Sequence, residues 1–131
     1  MLYRLTFFLS LSNVYAQITY IQQPDEKMFQ DAMELWDKEK FAAAQKKFGE
    51  YIERGSNGEK AIQARFYQGV CALKLDNSDA ETLISGFVQS YPSHPLAYES
   101  YRQLGHYYFE KGDYKTAVSF YDRVDMQPFS S

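Results

Sequence analysis

The side chains that could do chemistry in this chain are few and stand apart from one another. The sequence has two histidines and one cysteine among its 131 residues. His106 could serve as a metal ligand or a base, but His94 precedes a proline, and no cysteine or acidic pair converges at ligand spacing. The better interpretation of His106 is a solvated or core histidine. We therefore predict no metal site.

Cys71 is the only thiol, so no disulfide can form within the chain. It lies between Val70 and Ala72 in an apolar run, which favours a small packing residue. The alternative is a reactive thiol or an intermolecular bridge. No neighbouring basic residue in the sequence would lower its pKa, which disfavours that alternative.

The sequence also lacks the usual combinations of catalytic residues. It contains no nucleophile with a paired base, no cluster of metal ligands and no glycine-rich phosphate loop. We predict that the chain is not an enzyme and carries no cofactor. Only a fused catalytic domain would change that expectation.

Charge argues against nucleic acid as a partner. The formal net charge is −3, and nucleic-acid binding needs clustered basic residues that displace counterions. The densest basic pair, Lys46 and Lys47, is flanked by acidic residues and is interpreted as a solvated helix face. We predict a protein or peptide partner instead.

The N-terminus has the pattern of a secretory signal peptide over residues 1–16. Arg4 supplies an early positive charge, an apolar run follows over residues 5–11, and small residues precede a cleavage point after Ala16. The run is far shorter than the roughly 20 residues that span a bilayer, and no cysteine follows it for lipid attachment. We expect a mature chain without an integral membrane segment. The alternative is a first helix that packs on the rest of the chain.

The elements that would position these side chains repeat three times. Each time, a small residue is followed eleven or twelve positions later by an alanine that opens a second apolar stripe. The small residues lie 37 and then 36 positions apart, a spacing typical of stacked helix pairs. The three pairs of anchors are Ala32 with Ala44, Gly69 with Ala80, and Gly105 with Ala117.

Apolar periodicity predicts the helices, and turn residues predict their ends. Glycines at 55 and 58 should cap and loosen the turn between the first and second pairs. Asp79 should cap the fourth helix. We expect paired helices to approach closely where both carry small anchors, with large aromatics filling the gaps. The predicted helices are residues 25–37, 40–54, 59–75 and 79–91, followed by a third pair with a tight turn at residues 111–113.

These residues resemble the tetratricopeptide repeat family, and the third repeat matches its pattern best. The second repeat departs from it at Arg65 and Gln68, where apolar residues are usual, and the first has Ala32 in place of glycine. The resemblance implies an all-α superhelix of about three antiparallel helix pairs. The residues that carry the signature are Ala32, Ala44, Gly69, Ala80, Pro92, Tyr101, Leu104, Gly105, Tyr108, Ala117 and Tyr121.

The resemblance also implies where a partner would bind, because the first helix of each pair lines the concave face in this family. Positions pointing away from the pair's own core would form an apolar groove with a basic end, where Arg102 could hold a carboxylate. The alternative is that the phenylalanines pack against adjacent repeats. The candidate residues are Phe29, Met33, Phe66, Val70, Arg102, His106 and Phe109.

The leader and short phrases such as residues 91–95 are similar to periplasmic repeat proteins of bacterial envelopes, including those that work with the Tol-Pal system or assemble outer-membrane proteins. That similarity implies an interaction scaffold in the periplasm. We divide the chain into a leader (1–16), a linker (17–24), an array (25–58, 59–92 and 95–128) and a tail (129–131). The tail follows the sixth helix closely, so further repeats, a partner or self-association would cover this end. The alternative function is the N-terminal part of a longer array that spaces or oligomerises other domains.

Overall fold

The computed structural model describes residues 24–125, which form six helices. The predicted leader and the tail lie outside the described residues, so both stay predictions. The helices are α1 (24–37), α2 (Phe41–Glu53), α3 (Glu59–Lys74), α4 (Ala80–Ser90), α5 (Pro95–Glu110) and α6 (Tyr114–Asp125). We name the pairs α1–α2, α3–α4 and α5–α6 repeat 1, repeat 2 and repeat 3.

The three helix pairs confirm the predicted all-α architecture. Within the described residues, α3 packs on α2, α4 and α5, and α5 packs on α6, α3 and α4. In repeats 2 and 3 the first helix therefore contacts its own partner and the preceding pair, which is the arrangement of a solenoid. No helix between residues 24 and 125 is long and apolar enough to cross a membrane.

The turn between the two helices of each repeat contains a residue in the left-handed backbone conformation, at an equivalent position in all three repeats. Glu39, Asp76 and Gly112 have φ values of 56°, 54° and 79°, and they are 37 and 36 positions apart like the anchors. Such a residue ends a helix by letting the chain reverse. Only the third turn uses glycine, which adopts this conformation without a Cβ penalty.

The turns between repeats differ from the turns inside them. Gly55 and Gly58 have φ values of 77° and 80°, as expected for a loop that leaves α2 and enters α3. Before α5, the ring of His94 accepts a hydrogen bond from the Leu96 amide at 3.1 Å, and Pro95 occupies the first helical position. Asp79 occupies the predicted N-cap position of α4, but its side chain makes no capping hydrogen bond.

The small anchors do allow close helix packing, but against large side chains. A Cβ on Gly69 would lie 2.8 Å from Cδ1 of Ile84, and a Cβ on Gly105 would lie 2.4 Å from Cε1 of Tyr121. Ile84 and Tyr121 each lie four residues, about one turn, after the alanine expected to meet the glycine. The expectation of small against small is therefore corrected: a glycine accommodates a large residue.

The apolar interior forms two clusters joined by aromatic rings. The first lies within repeat 1 and includes part of α3, and the second lies within repeat 2 and includes part of α5. Trp36 and Tyr67 pack against both clusters, with ring centroids 4.9 Å apart. Tyr67 also stacks on Phe48 with centroids 5.4 Å apart. These rings connect repeat 1 to repeat 2.

Candidate partner-binding surface

The seven residues predicted to bind a partner occupy three equivalent positions on the first helices. The anchor spacing relates each position in repeat 1 to one 37 residues later in repeat 2 and one a further 36 later in repeat 3. In repeats 1 and 2, residues at these positions pack in the apolar clusters. The equivalent sets are Phe29, Phe66 and Arg102; Met33, Val70 and His106; and Trp36, Leu73 and Phe109.

Burial corrects the expectation that the residues in repeats 1 and 2 line an open groove. Phe29 and Phe66 are almost fully buried, and Val70 is only 1% exposed. Met33 is half-buried and packs against the first cluster. The phenylalanines of repeats 1 and 2 therefore have the packing role that the sequence left open as an alternative, because the following repeat covers their face.

The equivalent face of repeat 3 is exposed. Phe109 is 55% exposed, although its equivalents Trp36 and Leu73 are half-buried and buried. Tyr114 and Val118 on α6 are 60% and 55% exposed. Arg102 and His106 are exposed on the same helix as Phe109. We call the surface formed by Arg102, His106, Phe109, Tyr114 and Val118 the open face.

An aromatic pair in the open face has an equivalent pair in repeat 1. Phe109 and Tyr114 meet edge to face with centroids 5.2 Å apart, and Trp36 and Phe41 do so at 5.3 Å. In repeat 1 the ring of Tyr67 on α3 covers the pair through Trp36. The open face thus presents the same aromatic geometry to solvent that repeat 1 presents to a helix.

The two polar residues of the open face have local partners. Arg102 pairs with Glu99 one turn earlier on α5. A ring nitrogen of His106 lies 3.0 Å from the hydroxyl of Tyr121. Both side chains extend from the helix into solvent, so Arg102 keeps guanidinium donors for a further acceptor.

A cleft of about 240 Å³ lies beside the open face, between the C-terminal halves of α3 and α5. His106 belongs to both surfaces. The cleft has mixed polarity, which suits side-chain and backbone hydrogen bonds more than an apolar ligand. Its lining residues are Leu73, Lys74, Asp76, Gln103, His106, Tyr107, Glu110 and Lys111.

A hydrogen-bonded cluster forms one end of the cleft. The hydroxyl of Tyr107 donates to Oδ1 of Asp76 at 2.5 Å, and Nζ of Lys111 lies 2.7 Å from the same oxygen. Lys111 and Tyr107 hold the pKa of Asp76 below its usual range, and Asp76 raises that of Lys111. The cluster fixes the turn after α3 to the end of α5, and the Asp76 carboxylate and the Lys111 ammonium stay ionised near neutral pH.

Cys71 and His94, whose side chains could in principle do chemistry, have structural roles in the fold. Cys71 is fully buried, and burial raises the pKa of its thiol to about 12, so the packing interpretation is confirmed. His94 links two repeats, with Nε2 3.2 Å from a carboxylate oxygen of Glu59. Between residues 24 and 125, no group of three or more His, Cys, Asp or Glu is placed to hold a metal ion.

Sequence reasoning missed Tyr114 and Val118 as members of the exposed surface. It also missed the interactions of His94 with Glu59 and of Tyr107 with Asp76. The anchor spacing contained a signal for the open face, because it aligns Phe109 and Tyr114 with Trp36 and Phe41 at a common offset of 73 residues. The polar interactions have no such signal, since they join turns and helices of different repeats.

Comparison with known proteins agrees with this geometry. A model of the family described as tetratricopeptide repeat matches residues 29–81 and 75–131. No significant match was found among curated proteins or among solved structures. Tetratricopeptide repeats generally mediate protein–protein interaction and typically form non-catalytic scaffolds. Three antiparallel helix pairs, anchors 36 and 37 residues apart and matches over most of its length show that the chain belongs to the tetratricopeptide repeat family.

Proposed function

We propose that the protein is a non-catalytic interaction scaffold of the bacterial cell envelope. In this role it binds a protein or peptide partner on the side formed by the first helices of its repeats. The observation that carries the proposal is the exposure of Phe109, whose equivalents Trp36 and Leu73 are half-buried and buried, together with the exposure of Tyr114 and Val118 beside it. Exposed contiguous apolar surface rimmed by polar residues is typical of protein-binding sites.

The binding surface combines two features of α5. The open face supplies apolar contacts, and the adjoining cleft supplies hydrogen-bonding groups such as Gln103 and Glu110. Aromatic residues and arginine together are typical of the residues that dominate binding energy at interfaces. His106 lies where the two features meet, so a partner crossing α5 could use both.

The envelope location is supported by the predicted leader over residues 1–16. A fusion of residues 1–24 to alkaline phosphatase, which is active only after export, tests it. We expect phosphatase activity in cells. Replacing residues 5–11 by a charged segment should abolish that activity, and an inactive parent fusion would refute the location.

The interaction surface is tested by site-specific photo-crosslinking in cells of the source organism. A photoreactive residue at Phe109 or Gln103 should give protein adducts, and one at Lys46 on exposed α2 surface should not. Adducts at Lys46 alone would place the binding surface on α2 instead. A lack of adducts at every position would contradict the scaffold function.

A further inference from the structure

We propose that a cleft between α3 and α4 binds a carboxylate on an unbranched apolar stem, which is the chemistry of a glutamate side chain. The glutamate belongs to another protein molecule. We call this feature the α3–α4 cleft. The inference goes beyond the proposed function, because the residues of this cleft belong neither to the open face nor to the cleft beside it.

The α3–α4 cleft has a volume of about 260 Å³ and combines apolar and polar surface. Phe87 is almost fully buried, whereas Arg65, Thr82 and Ser90 are exposed. Arg65 is the one charged residue among the described residues that line the cleft, so this lining contains no carboxylate. Apolar surface beside a cation suits an anionic group on an apolar stem. The lining residues are Arg65, Gln68, Thr82, Leu83, Gly86, Phe87, Ser90 and Tyr91.

The cleft lies where repeat 2 differs from the other two repeats. Arg65 occupies the position of Met28 in repeat 1 and Tyr101 in repeat 3. On the second helices, the alanine anchors are 36 and then 37 positions apart, which makes Gly86 equivalent to a long charged side chain in each of the other repeats. Repeat 2 therefore has a cation on α3 and lacks the side chain that α4 would place beside it. The equivalents of Gly86 are Glu50 and Arg123.

Repeat 3 shows how a side chain fills the equivalent space. The guanidinium carbon of Arg123 lies 5.3 Å from the ring centre of Tyr101 and 5.5 Å from that of Phe120. A long unbranched side chain at this position on the second helix thus reaches the side chain at the position of Arg65 on the first helix. In repeat 2 the cation is on the first helix, so the complementary unbranched side chain is an anionic one. Among the amino acids, glutamate has that combination of stem and charge.

Arg65 is available for such a carboxylate. It takes part in no ion pair or side-chain hydrogen bond with another described side chain. A guanidinium can bind a carboxylate through two parallel hydrogen bonds. Residues 1–23 and 126–131 contain no aspartate or glutamate, so neither segment can supply the glutamate side chain.

The first test places a carboxylate in the cleft from within the chain. Gly86→Glu introduces the residue type of repeat 1, and a Cβ on Gly86 would meet no atom within 4 Å. Gly86→Gln is the matched control, because it adds a side chain of the same shape without the charge. The residues three and four positions away on α4 are uncharged, so they do not compete with Arg65 for the new carboxylate. These residues are Thr82, Leu83, Gln89 and Ser90.

Urea denaturation compares the two variants of Gly86. We expect the unfolding equilibrium constant of Gly86→Glu to be about three-fold lower than that of Gly86→Gln, an effect that one partly exposed ion pair can give. The difference should vanish when both variants also carry Arg65→Gln. It should also shrink at about 1 M salt, which screens exposed charges. Circular dichroism verifies that every variant forms its helices.

The second test measures binding of a probe from solution. N-acetylglutamate N-methylamide, titrated into the isotope-labelled protein, should shift the NMR signals of cleft amides such as those of Gln68 and Thr82. The neutral analogue N-acetylglutamine N-methylamide should bind about three-fold more weakly. Arg65→Gln should remove the difference between the two probes. Arg102→Gln is the matched control and should keep it, because Arg102 is also exposed but lies outside this cleft.

Three results would overturn the inference. The first is equal stability of Gly86→Glu and Gly86→Gln. The second is equal binding of the two probes, or a preference for the acidic probe that persists in Arg65→Gln. The third is inorganic phosphate that shifts the same amides at a lower concentration than the glutamate probe, which would make the cleft a phosphate site.

Light scattering identifies the source of the glutamate. A dimer that both Arg65→Gln and Gly86→Glu dissociate would show that a second copy of the chain supplies it, and a monomer would show that a different protein does. These experiments do not involve Phe109 or Gln103. A lack of photo-crosslinks from those positions would therefore contradict the scaffold function and leave the carboxylate site standing.

Discussion

Glycines at two buried positions determine how closely the paired helices pack. Gly69 lies against Ile84, and Gly105 lies against the ring of Tyr121. In a helix interior, glycine is about 1 kcal/mol less favourable than alanine. Its presence at these positions is explained by the large residue opposite, which leaves no room for a Cβ.

Gly105→Ala should destabilise the protein by about 1–2 kcal/mol. The added Cβ would lie 2.4 Å from Cε1 of Tyr121, and overpacking of this kind outweighs the gain in helix propensity. Urea denaturation measures the free energy of unfolding. Gly86→Ala is the control, because a Cβ there meets no atom within 4 Å and should stabilise by about 0.5–1 kcal/mol. Equal stabilisation by both changes would contradict the packing explanation.

The phenol of Tyr108 should make stability depend on alkaline pH. Its hydroxyl donates to Glu81 at 2.6 Å, which raises the pKa of Tyr108 to about 12 from the usual value near 10. A raised folded-state pKa contributes stability that is fully present below pH 10 and is lost as pH rises towards 12. Tyr108→Phe should therefore show a smaller loss of stability over this range than the parent protein.

Urea midpoints at pH 8, 10 and 11 measure the effect of Tyr108→Phe. Tyr114→Phe is a suitable control, because Tyr114 is exposed. This substitution also removes a phenol hydroxyl, but it leaves the hydrogen bond between Tyr108 and Glu81 intact. The parent protein keeps other alkaline contributions, since burial also raises the pKa values of Tyr67 and Cys71. Parallel pH profiles for the parent and Tyr108→Phe would refute the role of this phenol.

At the scale of elements, the turns inside the repeats differ in how well their central residue tolerates the left-handed conformation. Gly112 adopts the left-handed conformation without strain, but Glu39 and Asp76 have a Cβ in the same conformation. The cost of the left-handed conformation at Asp76 is offset by its hydrogen bond from Tyr107 and its ion pair with Lys111. Glu39 is exposed, so its turn is the one that a substitution can improve.

Glu39→Gly should stabilise the protein by about 0.5–1 kcal/mol. Removing the Cβ relieves the left-handed conformation, and the greater flexibility of glycine in the unfolded chain offsets part of that gain. Gly112→Ala is the reciprocal change and should destabilise by about 1 kcal/mol, because its site has space but the wrong φ for alanine. Thermal unfolding measures both. A stabilising Gly112→Ala would show that φ does not limit these turns.

At the scale of the whole molecule, Tyr67 should keep repeats 1 and 2 in one cooperative unit. Its ring contacts Trp36 and Phe48 in repeat 1 and Phe66 in repeat 2. Tyr67→Ala should cost about 2–4 kcal/mol and allow the repeats to unfold separately, because stability in an array depends on contacts between neighbours. Tyr67→Phe keeps the ring and should keep a single transition.

Two probes separate the repeats in this experiment. Trp36 is the only tryptophan, so its fluorescence reports on repeat 1, whereas circular dichroism reports on all helices. The two unfolding curves should coincide for the parent and for Tyr67→Phe and diverge for Tyr67→Ala. Coincident curves for Tyr67→Ala would mean that contacts other than this ring couple the repeats.

The sequence by itself determined the helix pairs, because apolar periodicity, the anchors and turn residues such as Gly55 and Gly112 act within one or two helical turns. It also determined the family, since the spacing of the anchors is a property of the chain. The candidate site was predicted only in part. Phe66 and Val70 lie on the stripe that the spacing selects, but only packing of α5 against α3 shows that they are buried.

The tertiary structure decided which apolar helix faces are covered by a neighbouring helix and which face solvent. Equivalent residues such as Trp36 and Phe109 have the same local pattern, yet one is covered by α3 and the other faces solvent. The polar links of His94 with Glu59 and Tyr107 with Asp76 were likewise decided by the stacking of repeats. Periodicity states which side of a helix is apolar, whereas burial depends on a neighbour that is distant in the sequence.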